Sequence, residues 1–125
     1  MSTVSVRYIV DDVEEAIRFY GRLGFEVEMQ PGPGFAILSR GQLRLLLNAV
    51  SAGGGAAQPA LDGSTPEPGG WSRIQIEVAD LADRVDKLRA AGAGFRTELV
   101  RGRGGDQILV EDPSGNAVEL FQPAA

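Results

Sequence analysis

The chain has 125 residues, 43% of them hydrophobic and 23% charged, with a formal net charge of −5. That is a globular composition of single-domain size, and its acidic balance excludes the basic footprint of a nucleic-acid-binding protein. It contains neither Cys nor His, which excludes disulfides, thiol nucleophiles, Ser-His-Asp chemistry and every metal site that needs imidazole or thiolate.

No apolar run approaches the about 20 residues that cross a bilayer, and the first residues lack a basic segment followed by a long apolar one. The expectation is a cytoplasmic protein with no membrane and no nucleic-acid partner. Eleven of the twelve basic residues are Arg, Lys87 being the exception. With the abundant Ala and Gly this is an actinobacterial-type bias without chemical meaning.

Residues 4–10 alternate, with Val4, Val6, Tyr8 and Val10 on one side and Ser5, Arg7 and Ile9 on the other. This is the pattern of a half-buried strand. Asp11 and Asp12 then offer an N-cap, and Glu15, three residues after Asp12, completes a box-like helix start. Val13, Ala16, Ile17 and Tyr20 form the helical stripe, which Gly21 and Gly24 end.

The same order recurs. Ile74, Ile76 and Val78 alternate with Arg73, Gln75 and Glu77. Asp80 caps a helix with the stripe Leu81, Val85 and Leu88, and Gly92 stops it. Val10 to Val78 and Asp12 to Asp80 are each 68 residues apart, and Phe25 to Phe95 is 70. Short strands follow each helix, expected at 25–29, 34–38 and 42–48, then at 95–100, 107–111 and 117–122. Each half therefore reads β-α-β-β-β. The expected fold class is α+β, one domain over residues 1–125. Its modules span about 2–49 and 71–123, separated by a Gly-, Ala- and Pro-rich linker at 50–70. That linker is either a plain crossover or a loop that also lines a ligand site.

Two such modules with residues 10–20 (VDDVEEAIRFY), Leu23-Gly24-Phe25 and 111–120 (EDPSGNAVEL) resemble the vicinal oxygen chelate superfamily. Its members include glyoxalase I, extradiol dioxygenases, fosfomycin-resistance enzymes and bleomycin-resistance-type binding proteins. The resemblance covers about residues 4–122. It implies a cup-shaped mixed sheet with helices on the convex side, a ligand in the concave side, and a homodimer. Ser5, Arg7, Ile9, Arg73, Gln75 and Glu77 would line the cup.

Metal-dependent relatives carry His, Glu or Gln at four strand positions. Carried over, these fall on Ser5, Leu45 (four after Gly41), Arg73 and Glu119 (four after Gly115). Only Glu119 is a ligand type, so the resemblance implies no metal, no cofactor and no catalytic residue here. Glu119 either pairs with Arg73, receives a donor from a ligand, or stands solvated at the cup wall. Arg7 and Glu77 offer a second pair. Leu43, Leu45 and Leu47 are expected to make one wall apolar, joined by Phe35, Ile37, Leu109 and Phe121, with Trp71 where the linker rejoins the second module. Those side chains either hold a ligand or simply fill the cup or a dimer interface.

The candidate ligand-binding set is thus Arg7, Phe35, Ile37, Leu43, Leu45, Leu47, Trp71, Arg73, Gln75, Leu109, Glu119 and Phe121. The glycines at 53–55 fit no phosphate-binding frame, and 101–105 (RGRGG) reads as a solvated turn. The expected function is non-catalytic binding of a hydrophobic or aromatic small molecule, as the bleomycin-resistance branch binds antibiotics, giving resistance by sequestration. The rival expectations are a metal-independent or metal-dependent glyoxalase- or dioxygenase-like enzyme, with Glu119 or Glu77 as a base, and a housekeeping relative with no drug ligand.

Overall fold

The computed structural model describes residues 3–125. They divide into two compact units, with the boundary between Pro68 and Gly69. In the first unit, β1 (Ser5–Val10) leads into α1 (Val13–Arg22), followed by β2 (Glu26–Gly32), β3 (Phe35–Arg40) and β4 (Leu43–Ala49). The sheet order is β1-β4-β3-β2, with β1 parallel to β4 and the other pairs antiparallel.

The second unit repeats this plan. β5 (Ile74–Glu77) leads into α2 (Leu81–Ala90), and the sheet order is β5-β9-β8-β6, with β7 also pairing β8. Here β6 is Gly94–Phe95, β7 Val100–Arg101, β8 Gly105–Glu111 and β9 Ala117–Pro123. Again the first and last strands are parallel and the rest antiparallel.

Both helices begin as their sequences require. The Asp12 carboxylate accepts from the Glu15 N–H at 3.2 Å, and that of Asp80 from the Asp83 N–H at 3.1 Å. Each satisfies a donor that the first helical turn leaves without a partner. Gly21 does not end α1, which runs on to Arg22; the reversal falls at Gly24, at φ +92°. The buried stripe of α1 is Val13, Ala16, Phe19 and Tyr20. Tyr20 meets Tyr8, Phe19 and Phe25 edge to face, with ring centroids 6.3, 5.0 and 5.6 Å away. Ile17, expected in the stripe, is only half-buried. In α2 the stripe is Leu81, Val85 and Leu88, as the periodicity predicts.

Two expectations are modified. The strand expected over 95–100 is broken into β6 and β7. Past β6 the Arg96 N–H still donates to the Leu109 carbonyl, but the Leu109 N–H donates to the Thr97 hydroxyl. A side chain takes the place of a strand carbonyl there, and the ladder stops. The expected linker contains short 3-10 turns at Val50–Ala52 and Gly55–Ala57 and a hydrogen-bonded turn at 60–64, and residues up to Pro68 belong to the first unit.

Candidate functional site

The helix-facing side of each sheet follows from its pairing. In the first unit, Val6, Tyr8 and Val10 pair with Leu45, Leu47 and Ala49. Paired residues of adjacent strands project to the same face. Tyr8 touches Tyr20 of α1, so this whole row faces the helix. Leu45 and Leu47 are 0% exposed. Leu45 and Leu47 are therefore part of the core beneath α1, with Leu43 half-buried in the same row, and the expectation that these three wall a ligand site on the opposite face is corrected.

The residue that matches Glu119 is Leu46. Ile74 pairs with Val118 as Val6 pairs with Leu45, and Gln75 pairs with Glu119 as Arg7 pairs with Leu46. Counting four from the glycine fails because the parallel pairs differ in register by one residue. Leu43 and Ala117 each stand two after their glycine and open their strands, yet Val6 pairs with Leu45, two past Leu43, whereas the equivalent Ile74 pairs with Val118, one past Ala117. A one-residue slip puts a side chain on the opposite face.

The face of the first sheet away from α1 carries Arg7, Phe35, Ile37, Leu46 and Asn48, which share ladder positions. Arg7 Nε donates to Asn48 Oδ1 at 2.9 Å, the partner sequence reasoning missed in favour of Glu77.

In the second sheet, Gln122 accepts from the Leu81 N–H at the start of α2, so Gln122, Leu120 and Val118 face that helix. The other face carries Gln75, Glu119 and Leu109 in one row and Glu77, Phe121 and Gln107 in the next. Glu119 is buried, at 7% exposure. Its Oε1 accepts from Arg73 Nε and Nη2 at 3.1 and 3.0 Å, and its Oε2 accepts from Gln75 Nε2 at 2.6 Å. A buried carboxylate needs such partners, because without them its desolvation is uncompensated. The pairing of Arg73 with Glu119 is as one sequence reading has it; the role of Gln75 as the second donor is new.

Beside this pair stands Trp71, whose carbonyl lies 3.4 Å from Arg73 Nη1. The residue is 66% exposed, with the Arg96 guanidinium stacked 4.6 Å from its ring centroid. Arg96 also pairs with Glu111 at 3.0 Å and donates to the carbonyls of Gly70 and Gly115 at 2.6 and 2.8 Å. Asn116 Oδ1 accepts from the Gly69 N–H at 2.8 Å. Buried Asp112 holds Asn116 in turn, accepting from its backbone N–H and its Nδ2, both at 3.0 Å. Sequence reasoning passed over Arg96. Its one signal was a cation directly after Phe95, the residue that repeats Phe25.

Cavities within the units lie elsewhere. One of about 320 Å3 in the first unit is lined by Asp11, Asp12, Val13, Pro33, Gly34, Ala49, Ser51 and Ala52. None of the predicted site residues lines it. No helix among the described residues is long and apolar enough to cross a membrane.

Two sheet-and-helix modules, each with a parallel outer pair, define an α+β protein of the glyoxalase fold. The chain belongs to the Glyoxalase/Bleomycin resistance protein/Dioxygenase superfamily, whose family model matches residues 3–120. Among solved structures it is similar to a superfamily member from Sphaerobacter thermophilus, at 26% identity and TM-score 0.72, over 98% of this chain and 97% of that one. It is also similar to a hypothetical protein from S. aureus, at 18% and 0.77, over 98% and 94%. A third is a lactoylglutathione lyase from Agrobacterium tumefaciens, at 19% and 0.69, over 97% and 92%. No curated protein matches the chain.

The four positions at which metal-dependent relatives hold their ion are, on the corrected register, Ser5, Leu46, Arg73 and Glu119. They do not fit a divalent cation. Leu46 has no donor, Arg73 is itself a cation, and both Glu119 oxygens already accept from N–H groups. A hard cation needs several oxygen ligands at once. Among the described residues no group of three or more Asp or Glu side chains offers an alternative.

Proposed function

We propose that this chain is a non-catalytic binding protein for a hydrophobic or aromatic small molecule. The molecule lies against the second-sheet face that carries Arg73, Gln75, Leu109, Glu119 and Phe121. The observation that carries the reading is the engagement of both Glu119 oxygens by three N–H donors. Its oxygens are engaged by Arg73 and Gln75, so the one inherited carboxylate is a fixed part of the wall and not a free base or ligand. What remains on that face is half-buried Phe121, with Leu109 beside it at 4% exposure, and a few oriented polar groups, a mix of apolar and polar lining that suits a small-molecule site. Holding an antibiotic-type molecule unchanged gives resistance by sequestration, with a homodimer as the working assembly.

Native mass spectrometry tests this on protein purified without chelators, alone and with a panel of aromatic natural products that includes a bleomycin-type glycopeptide. The expected result is a metal-free dimer that gains one unmodified ligand mass per chain. A released, chemically altered ligand or a stoichiometric divalent metal overturns the proposal.

A further inference from the structure

An exposed Trp is ordinarily mobile, yet Trp71 is held from several sides. Arg96 covers one face of its indole and bonds the carbonyl of Gly70 just before it. Asn116 fixes the N–H of Gly69, and Arg73 Nη1 meets the carbonyl of Trp71 itself. Arg96 is in turn locked by Glu111 and the Gly115 carbonyl. The backbone that carries the indole is thereby fixed and Arg96 covers the ring, while the residue stays 66% exposed. A rigid exposed aromatic binds with little further loss of conformational entropy.

We infer that Trp71 is a preorganised stacking platform for a planar aromatic ligand that carries an acceptor oxygen and no positive charge. The inference rests on the binding reading above and names the ligand class for it. Two features set the class. The Arg96 cation draws π density toward its own face, so the outer face favours an electron-rich or anionic ring over a second cation. Arg73 lies beside the platform with its side chain 29% exposed. Its guanidinium has more N–H groups than its bonds to Glu119 and Trp71 use, and these suit a carbonyl, phenolate or carboxylate oxygen.

The test exploits the fact that Trp71 is the only tryptophan, so intrinsic emission reports on this residue alone. The full chain is titrated with anthraquinone-2-carboxylate, with the same ring bearing a trimethylammonium group, and with cyclohexanecarboxylate. Native mass spectrometry reads occupancy in parallel. The expected result is quenching by the anionic anthraquinone, with affinity about tenfold lower in Trp71→Ala and nearly retained in Trp71→Phe, the scale of one stacking contact. The cationic and saturated probes bind at least about tenfold more weakly.

Separately, Arg96→Met frees the indole, and the Trp71 emission of the ligand-free protein depolarises faster. Binding of unmodified anthraquinone-2-carboxylate that neither quenches Trp71 nor weakens in Trp71→Ala overturns the platform and leaves the binding reading intact. So does equal binding of the cationic probe. If no aromatic probe or natural product binds, both fall.

Discussion

Arg73 places two nitrogens, Nε and Nη2, on a single oxygen of Glu119, at 3.1 and 3.0 Å, which leaves the other oxygen to Gln75. The two ends of this pair are unequally wet: the Arg73 side chain is 29% exposed and that of Glu119 10%. Removing one partner of such a pair strands the other, and the stranded group costs more the deeper it lies.

Arg73→Met should therefore destabilise more than Glu119→Gln. The first leaves a buried carboxylate with Gln75 alone and should cost about 2–3 kcal/mol. The second leaves a half-exposed cation that water can reach and an amide that still accepts from it, costing about 1 kcal/mol. The double variant should cost less than the sum. Urea unfolding of the four proteins reads the cycle, and equal single costs would show that the pair is solvated.

The turn at 112–116 supplies a second test. Asp112 accepts from the Asn116 Nδ2 at 3.0 Å, and both residues are buried. Asn116→Asp keeps the shape and the oxygen that Gly69 N–H reaches, but sets two carboxylates against each other where a donor was. It should lose more stability than Asn116→Ala, by about 1 kcal/mol or more, since like charges in a buried site repel strongly. Thermal unfolding at neutral pH compares them. The order reverses only if the turn opens to water.

In the 60–64 turn, the Asp62 carboxylate accepts from the Ser64 hydroxyl at 2.6 Å and from its backbone N–H at 2.9 Å. The hydroxyl first, then the N–H, hold the Asp62 carboxyl below its ordinary value. A depressed folded-state value means that its contribution to stability is present above the unfolded carboxyl range and fades as pH falls through the folded value. Ser64→Ala removes the larger cause and should move the Asp62 titration upward, toward the ordinary value. An NMR titration of the Asp62 side chain follows it; an unchanged midpoint would mean that the bond does not form in solution.

Much of this architecture is legible in the sequence because local rules and global fold agree in it. The caps at Asp12 and Asp80, the stripe Leu81, Val85 and Leu88, and the alternation at 74–78 each act over a few residues, and the structure keeps them. The pairing of Arg73 with Glu119 was open to inference because β5 and β9 repeat a relation that parity exposes. Properties that depend on the register of the parallel pairs or on side chains replacing ladder carbonyls were not legible. Thr97 interrupts the strand after Phe95 through one hydroxyl, which no periodicity records. Arg96 acquires its meaning only when Gly70, Glu111 and Gly115, far apart in sequence, converge on its guanidinium.

The sharpest consequence of strand register concerns Leu45 and its neighbour. Leu45 is 0% exposed in the row that packs under α1, whereas Leu46 is half-buried on the opposite face, beside Arg7 and Ile37. Leu45→Ala removes methyl groups from a filled core and leaves a cavity, which should cost about 2–5 kcal/mol. Leu46→Ala removes partly solvated surface and should cost about 1 kcal/mol. Denaturant unfolding of the two variants reads the face each residue occupies. If Leu46→Ala proved the costlier, the register of β4 against β1 would be one residue out, and the equivalence of Leu46 with Glu119 would go with it.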